Sequence, residues 1–342
     1  MKYFAGLEVS MEETSICVVD ETGAVSCEGR ATSDAGAIAA WLERTGVTVA
    51  RLGLEAGPLS AWLHSGLVAA ELPAICIETR RMRGATILMA VKTDRIDALA
   101  IAQAMRVGWY TVVHVKSVES QELRLLLRNR KAVVDQRVGL DNEIRGTLKA
   151  FGIKLGAVSE ARFAAVVEAA IKEHHRALLV MVAPLLSVRA ALRRSLAVLQ
   201  RLVLSAVRAS VVCRRFMTVP GVGPVVALTA MTGIDDPARF PRSRSVGVHF
   251  GMTPRKYASG EVDRNGAISK CGDEMVREAL FQAAHTLLTR TKRWSALKAW
   301  GMQVAKRRGL RRATVAVARK LAVLLHRMWA TGEDFRWTAS SH

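Results

Sequence analysis

The chain has 342 residues, half of them apolar, with a formal net charge of +20 and only 5% aromatic residues. That length and apolar content exclude a disordered chain and allow two domains with sizeable cores, while abundant Ala, Leu, Val and Arg favour helix. The cationic excess points to a polyanionic partner, and five cysteines without a Cys-x-x-Cys spacing suggest neither a zinc site nor a disulfide framework.

The charge is unevenly placed. Met1–Glu78 holds eleven acids against four Lys and Arg, so the remainder carries +27. From Arg290 to Arg327 there are twelve Lys or Arg and no acid, threaded with apolar residues as in helices with one cationic face. These charges sit inside what reads as a folded domain, which fits nucleic acid better than a membrane surface. The N-terminus opens as a strand and not as a charged-then-apolar leader. The longest apolar run, Ala177–Leu186, is too short to span a bilayer and contains Pro184. A cytoplasmic protein without a membrane partner is expected.

In chain order, Tyr3–Val9, Ser15–Asp20 and Ala24–Ala31 read as three strands of a meander, with turn chemistry at Asp20-Glu21-Thr22-Gly23. A helix follows at Ala35–Glu43, then a strand at Val49–Leu54, a helix at Leu59–Ala70, a strand at Ala74–Glu78 and a helix at Asp94–Met105. Three antiparallel strands followed by strand and helix alternation is the order of an RNase H-like domain. From Val118 to about Ala209 the pattern is helical. One apolar stripe runs through Leu127, Val134, Val138, Ile144, Leu148 and Phe151, and a second through Leu185, Leu192, Leu196, Leu199 and Val203. The second stripe follows Pro184, placed at a helix start. Each stripe suits either an intramolecular helix pair or a dimer seam. After Val211, loops rich in Gly, Pro and Arg extend to Asp273, helices continue to Trp329, and Thr331–His342 reads as a frayed tail. The expected architecture is therefore α/β followed by all-α: residues 1–117, a helical segment 118–210, and a mainly helical domain 211–342.

Four acids stand out. Glu8 ends the first strand, Glu55 ends the fourth, and Asp94 and Asp97 stand three apart near a helix start. Strand ends lie side by side in a sheet, and i, i+3 spacing puts two side chains on one helical face. Carboxylates gathered in this way suit Mg2+ or Mn2+, and a two-metal clamp stabilises the attacking and leaving oxygens when a phosphodiester is cut.

In the C-terminal domain, Val219-Pro220-Gly221-Val222-Gly223-Pro224 before an apolar helix at Val225–Met231 reads as a helix-hairpin-helix turn. Gly221 and Gly223 would let the backbone approach a phosphate at the helix N-terminus. Downstream, Ser259 and Ser269 lie in polar loops with Arg255, Lys256, Arg264 and Lys270. Such cations suit a phosphate under attack by a serine, but spacing alone does not choose between the two hydroxyls.

These residues resemble the transposases of the insertion-sequence 110 family over nearly the whole chain. Gly6-Leu7-Glu8-Val9-Ser10, Leu54-Glu55-Ala56 and Lys92-Thr93-Asp94-Arg95-Ile96-Asp97-Ala98 are similar to the family's three acidic motifs. Pro220-Gly221-Val222-Gly223, Phe250-Gly251-Met252-Thr253-Pro254-Arg255, Ala258-Ser259-Gly260 and Ile268-Ser269-Lys270 follow in the family's order.

The resemblance implies a RuvC-like domain of RNase H fold with a D-E-D-D metal tetrad, joined to a transposase domain with a catalytic serine, Ser259. It further implies DNA cleavage and rejoining through a serine–phosphate bond, homo-oligomers (dimer or tetramer) that share active sites, and a structured guide RNA. Ser269 then takes a phosphate-binding or capping role. Glu8 departs from the family's aspartate, and its additional methylene extends the carboxylate by roughly 1.5 Å. Two other readings remain from the residues alone: a metal-only junction resolvase-like nuclease, and a nucleic-acid-binding protein whose metal site has decayed.

Overall fold

The structure is a computed structural model and describes residues 1–80, 93–174, 176–259 and 262–337. Lys92 and Gly260 of the motifs above, and the last five residues of the expected tail, lie outside the described residues. The chain divides into two compact units, Met1–Lys116 and Ser117–His342.

The first unit is a five-stranded sheet in the order β3-β2-β1-β4-β5, formed by β1 (Tyr3–Val9), β2 (Glu13–Val19), β3 (Val25–Thr32), β4 (Val49–Glu55) and β5 (Ala74–Ile77). β1 pairs antiparallel with β2 and parallel with β4, so it sits centrally, with Phe4–Leu7 buried. β3 alternates exposed and half-buried residues, as an edge strand covered on one face should. Ala5, Leu7, Leu52 and Leu54 face α1 (Ala35–Thr45) and α2 (Ser60–Ala69). Phe4, Cys17 and Val19 face α3 (Asp94–Val107) on the other side. The period-2 pleat thus separates two cores across one sheet.

The second unit begins with a long antiparallel pair, α4 (Val118–Ala150) and α6 (Arg176–Ala209). Arg130 Nε donates to Gln200 Oε1 at 2.8 Å and Arg189 Nε to Asp141 Oδ1 at 2.5 Å, which sets the antiparallel register. The two stripes therefore pair within the chain. Leu127 joins the main core and Ile144 and Leu148 join a second core with α5 (Phe163–His174), whereas Val138 stays 43% exposed. Pro184 lies inside α6 and not at its start. Proline in a helix interior costs about 3 kcal/mol. Here its ring lies on the exposed face, while Leu178, Val182 and Leu186 bury themselves in the second core on either side of it and offset that cost.

The main core surrounds α8 (Pro224–Ile234), in which Val226–Ala230 and Thr232–Ile234 are all buried. Around it pack α7 (Val211–Phe216), α9 (Arg244–His249), α10 (Glu274–Thr289), α11 (Ala296–Arg308) and α12 (Leu310–Thr331). The apolar helix expected at Val225–Met231 is α8, and the region read as loops up to Asp273 contains two further α-helices, α7 and α9, and also a β-hairpin, β6 (Pro254–Ser259) and β7 (Val262–Ile268). The expected tail is packed as far as it is described: the Phe335 amide donates to Thr218 Oγ1 at 3.0 Å, and Arg293 stands 3.9 Å over the Trp337 ring. Two aromatic anchors hold it. Among the described residues no helix is long and apolar enough to cross a membrane.

Candidate active site

The acidic site is built by the first unit alone. Leu7 pairs with Leu54 across β1 and β4, so Glu8 and Glu55 come next at the same level on neighbouring parallel strands, whose backbones lie about 4.8 Å apart. The pleat puts Glu8 on the face of Gly6, and Glu55 on the face of Gly53. That is the α3 face, because a Cβ on Gly6 would stand 2.1 Å from the Ala98 carbonyl oxygen, and one on Gly53 2.8 Å from Ile101 Cγ2. Two glycines therefore let α3 lie close against the sheet, running antiparallel to β1 and β4. At its far end Arg51 Nη1 donates to the Met105 carbonyl at 2.8 Å.

The sheet-facing residues of α3 are Ala98, Ile101, Ala102 and Met105, all buried. Asp94 and Asp97 continue the same two i, i+4 rows by one turn towards the ends of β1 and β4 that carry Glu8 and Glu55. Thr93 caps this helix by accepting from the Ile96 amide at 3.3 Å, and the two aspartates occupy the first turn, where the helix dipole favours negative charge. Glu8 and Glu55 line one pocket of about 240 Å³ with the 56–60 turn, where the Gly57 amide donates to Ser60 Oγ at 3.0 Å. Behind the acids Cys17 is buried, and that burial pushes its thiol up to about 11, with Glu28 adding to the shift.

All four acids thus belong to one end of the sheet and one of its faces. Their side chains are not drawn together as a ligand set: among the described residues no group of three or more His, Cys, Asp or Glu is placed to hold a metal ion. By chemistry the donor set is all oxygen, which fits a hard divalent cation.

Ser259 lies in the second unit, at the end of β6, exposed and paired with Val262 across the hairpin. It is a strand residue beside the hairpin connection and not a loop residue. Tyr257 pairs with Arg264, whose guanidinium stands 5.6 Å over the Tyr257 ring. Residues two apart share a face, so Arg255, Tyr257 and Ser259 line one side with Arg264, while Lys256 takes the other. Arg255 Nη2 donates to the Ser269 carbonyl at 3.2 Å, which braces the foot of the hairpin. Tyr257 was not among the expected site residues. Its alternation with Arg255 and Ser259 was the available signal.

At that foot, Gly251 (φ +66) and Gly272 (φ +82) allow backbone to pass backbone: a Cβ would stand 2.0 Å from the Cys271 oxygen and 2.1 Å from the His249 oxygen respectively. Lys270 sits between them at φ +57. Ser269 Oγ accepts from the Cys271 amide at 3.5 Å, and the cap of α10 is Asp273, accepting from the Val276 amide at 3.2 Å. The capping role expected of Ser269 therefore belongs to Asp273, whose carboxylate can reach the helix amides directly.

In the 217–223 turn, Gly221 (φ +86) is spent on packing, since a Cβ would stand 2.4 Å from the Ala283 oxygen of α10. Gly223 is the N-cap of α8 and meets nothing within 4 Å. Only the second glycine has the open approach that the sequence suggested for both.

The first unit is thus an α/β unit with acids at its strand ends, and the second a helical unit with an exposed serine hairpin. Residues 213–299 match the transposase family IS116/IS110/IS902, and residues 5–153 match the DEDD transposase family of IS110 elements. The transposase for insertion sequence element IS1111A of Coxiella burnetii is 30% identical over 260 residues, covering 72% of this chain and 68% of that one. A probable family 20 transposase of Pseudomonas aeruginosa is 30% identical over 244 residues, covering 70% and 71%. The transposase for element IS1328 of Yersinia enterocolitica is 28% identical over 237 residues, covering 68% and 70%. The chain belongs to the IS110 family of transposases.

Proposed function

We propose that this transposase cuts and rejoins DNA through a covalent bond to Ser259, with the acidic end of an RNase H-like first unit assisting. The observation that carries the reading is the placement of Glu8, Glu55, Asp94 and Asp97 on one face at one end of the sheet, on elements locked together at Gly6 and Gly53. Glu8, Glu55, Asp94 and Asp97 would hold Mg2+ or Mn2+. When bound, such cations neutralise the charge that develops on the phosphodiester oxygens.

Ser259 Oγ forms the new bond to phosphorus, the strand's P–O bond breaks, and the departing oxygen leaves as a hydroxyl carrying the proton the serine gave up. The serine–phosphate ester keeps the bond energy for rejoining. Arg255 and Arg264, on the face of Ser259, attract the phosphate and its added charge. Lys256, Lys270, Ser269 and the helix end at Gly223 contact the backbone further out. A structured guide RNA fits the cationic excess, a homo-oligomer would bring acidic and serine sites together between copies, and the cytoplasm is the expected compartment.

The test is to mix the protein with DNA carrying the ends of its own element in Mg2+, quench in detergent, and look for protein that migrates with DNA. A covalent adduct that disappears with chelator is expected. Strand cleavage without any adduct would replace the serine by plain hydrolysis.

A further inference from the structure

A cavity of about 870 Å³ in the second unit is one the proposed chemistry does not use. Its floor is apolar, including Leu297, Trp300, Val315 and Val323, and the described lining holds six Lys or Arg, no acid and no neutral polar side chain. Arg327 and Arg336 share Glu333, at 3.9 and 2.8 Å. For Arg244, Arg312, Arg319 and Lys320 no acid partner stands among the described residues. Lys320 Nζ lies 3.9 Å over the Trp300 ring, and the Arg319 stem rests on Gly247.

The pattern comes from α12. Arg312, Arg319 with Lys320, and Arg327 follow at seven- or eight-residue steps on the groove side, so cations recur about every 11 Å. Val315 with Ala316 and Val323 with Leu324 fill the turns between them. A ligand matching this groove must offer regularly spaced anions and flat apolar surface together. A DNA duplex offers the first but keeps its base faces stacked inside. A small anion offers no apolar surface.

An unpaired strand offers both, phosphates to the cations and base faces to Trp300 and the aliphatic floor. We infer that this groove binds unpaired DNA, the strand that an enzyme cutting and exchanging DNA must hold while it is out of its duplex. The inference rests on the family's action on DNA, but it is tested by binding alone, so it can fail while the serine chemistry stands.

The experiment is fluorescence anisotropy of the full chain with labelled oligo-dT and with a hairpin duplex, across a salt series. Arg319→Gln with Lys320→Gln removes two charges and keeps both stems. It should weaken oligo-dT binding about tenfold and lower the slope of log affinity against log salt by about 1.4, at 0.7 per lost phosphate contact. Duplex affinity should change by less than about twofold. Trp300→Leu should weaken oligo-dT about tenfold, the worth of one stacked base. Because Trp300 also packs on the core, the charge variants decide the matter if that protein misfolds. Unchanged oligo-dT binding, an equal loss on the duplex, binding of oligo-U but not oligo-dT, or competition by polyglutamate as strong as by oligo-dT would each overturn the inference.

Discussion

The two halves of the proposed chemistry are supported in opposite ways. The acids stand on a central strand, its parallel neighbour and a helix, and the surfaces between these elements are so close that neither Gly6 nor Gly53 has room for a Cβ. Ser259 stands at the end of an exposed two-stranded hairpin, a type of structure marginal on its own, held at its foot where Gly251 and Gly272 let backbones pass. Metal ligands tolerate errors of tenths of an ångström, so they call for rigid elements. A nucleophile that must reach a phosphate on a large ligand is better displayed on an open projection.

This contrast can be broken from either side. The largest effect is expected from Gly6→Val, which drives a side chain into the Ala98 carbonyl and should cost the first unit about 3 kcal/mol or more. Urea denaturation followed by circular dichroism reads it, and an unchanged midpoint would show that α3 is not seated as described. Gly251→Ala combines a positive φ with a 2.0 Å approach to the Cys271 oxygen, and should cost about 2 kcal/mol while abolishing the adduct. Full adduct yield from that variant would mean the hairpin does not depend on its foot.

Asp97→Asn should end cleavage with stability within about 1 kcal/mol of the parent, because it removes charge and keeps shape. Retained cleavage, or cleavage in excess chelator, would remove the acids from the mechanism. The smallest effect is Glu8→Asp, expected to raise the strand-transfer rate a few-fold without altering affinity for DNA. If that variant is slower, glutamate is an adapted ligand, matched to the end of β1.

Much of the acidic site could be read from the sequence, because it rests on periodicities. The ends of the runs at Tyr3–Val9 and Val49–Leu54 and the i, i+3 spacing of Asp94 and Asp97 place the four acids at strand ends and on one helical face before any coordinates are known. The hairpin was hidden for the converse reason. From Pro254 to Tyr257 every residue is exposed, so no buried face imposes a hydrophobic alternation on it. Three long-range contacts were equally invisible. Gly221 packs on Ala283 some sixty positions away, Arg255 braces the Ser269 carbonyl, and α6 runs through Pro184 because the second core holds it on both sides.

The central claim is that Ser259 carries the DNA. Trapping the complex in Mg2+, digesting with nuclease and protease, and locating the remaining phosphonucleotide by mass spectrometry tests it most directly. The mark is predicted on the peptide containing Ser259, absent in Ser259→Ala and reduced but present in Ser269→Ala. A phosphonucleotide on Ser269, or an undiminished adduct in Ser259→Ala, would contradict the account.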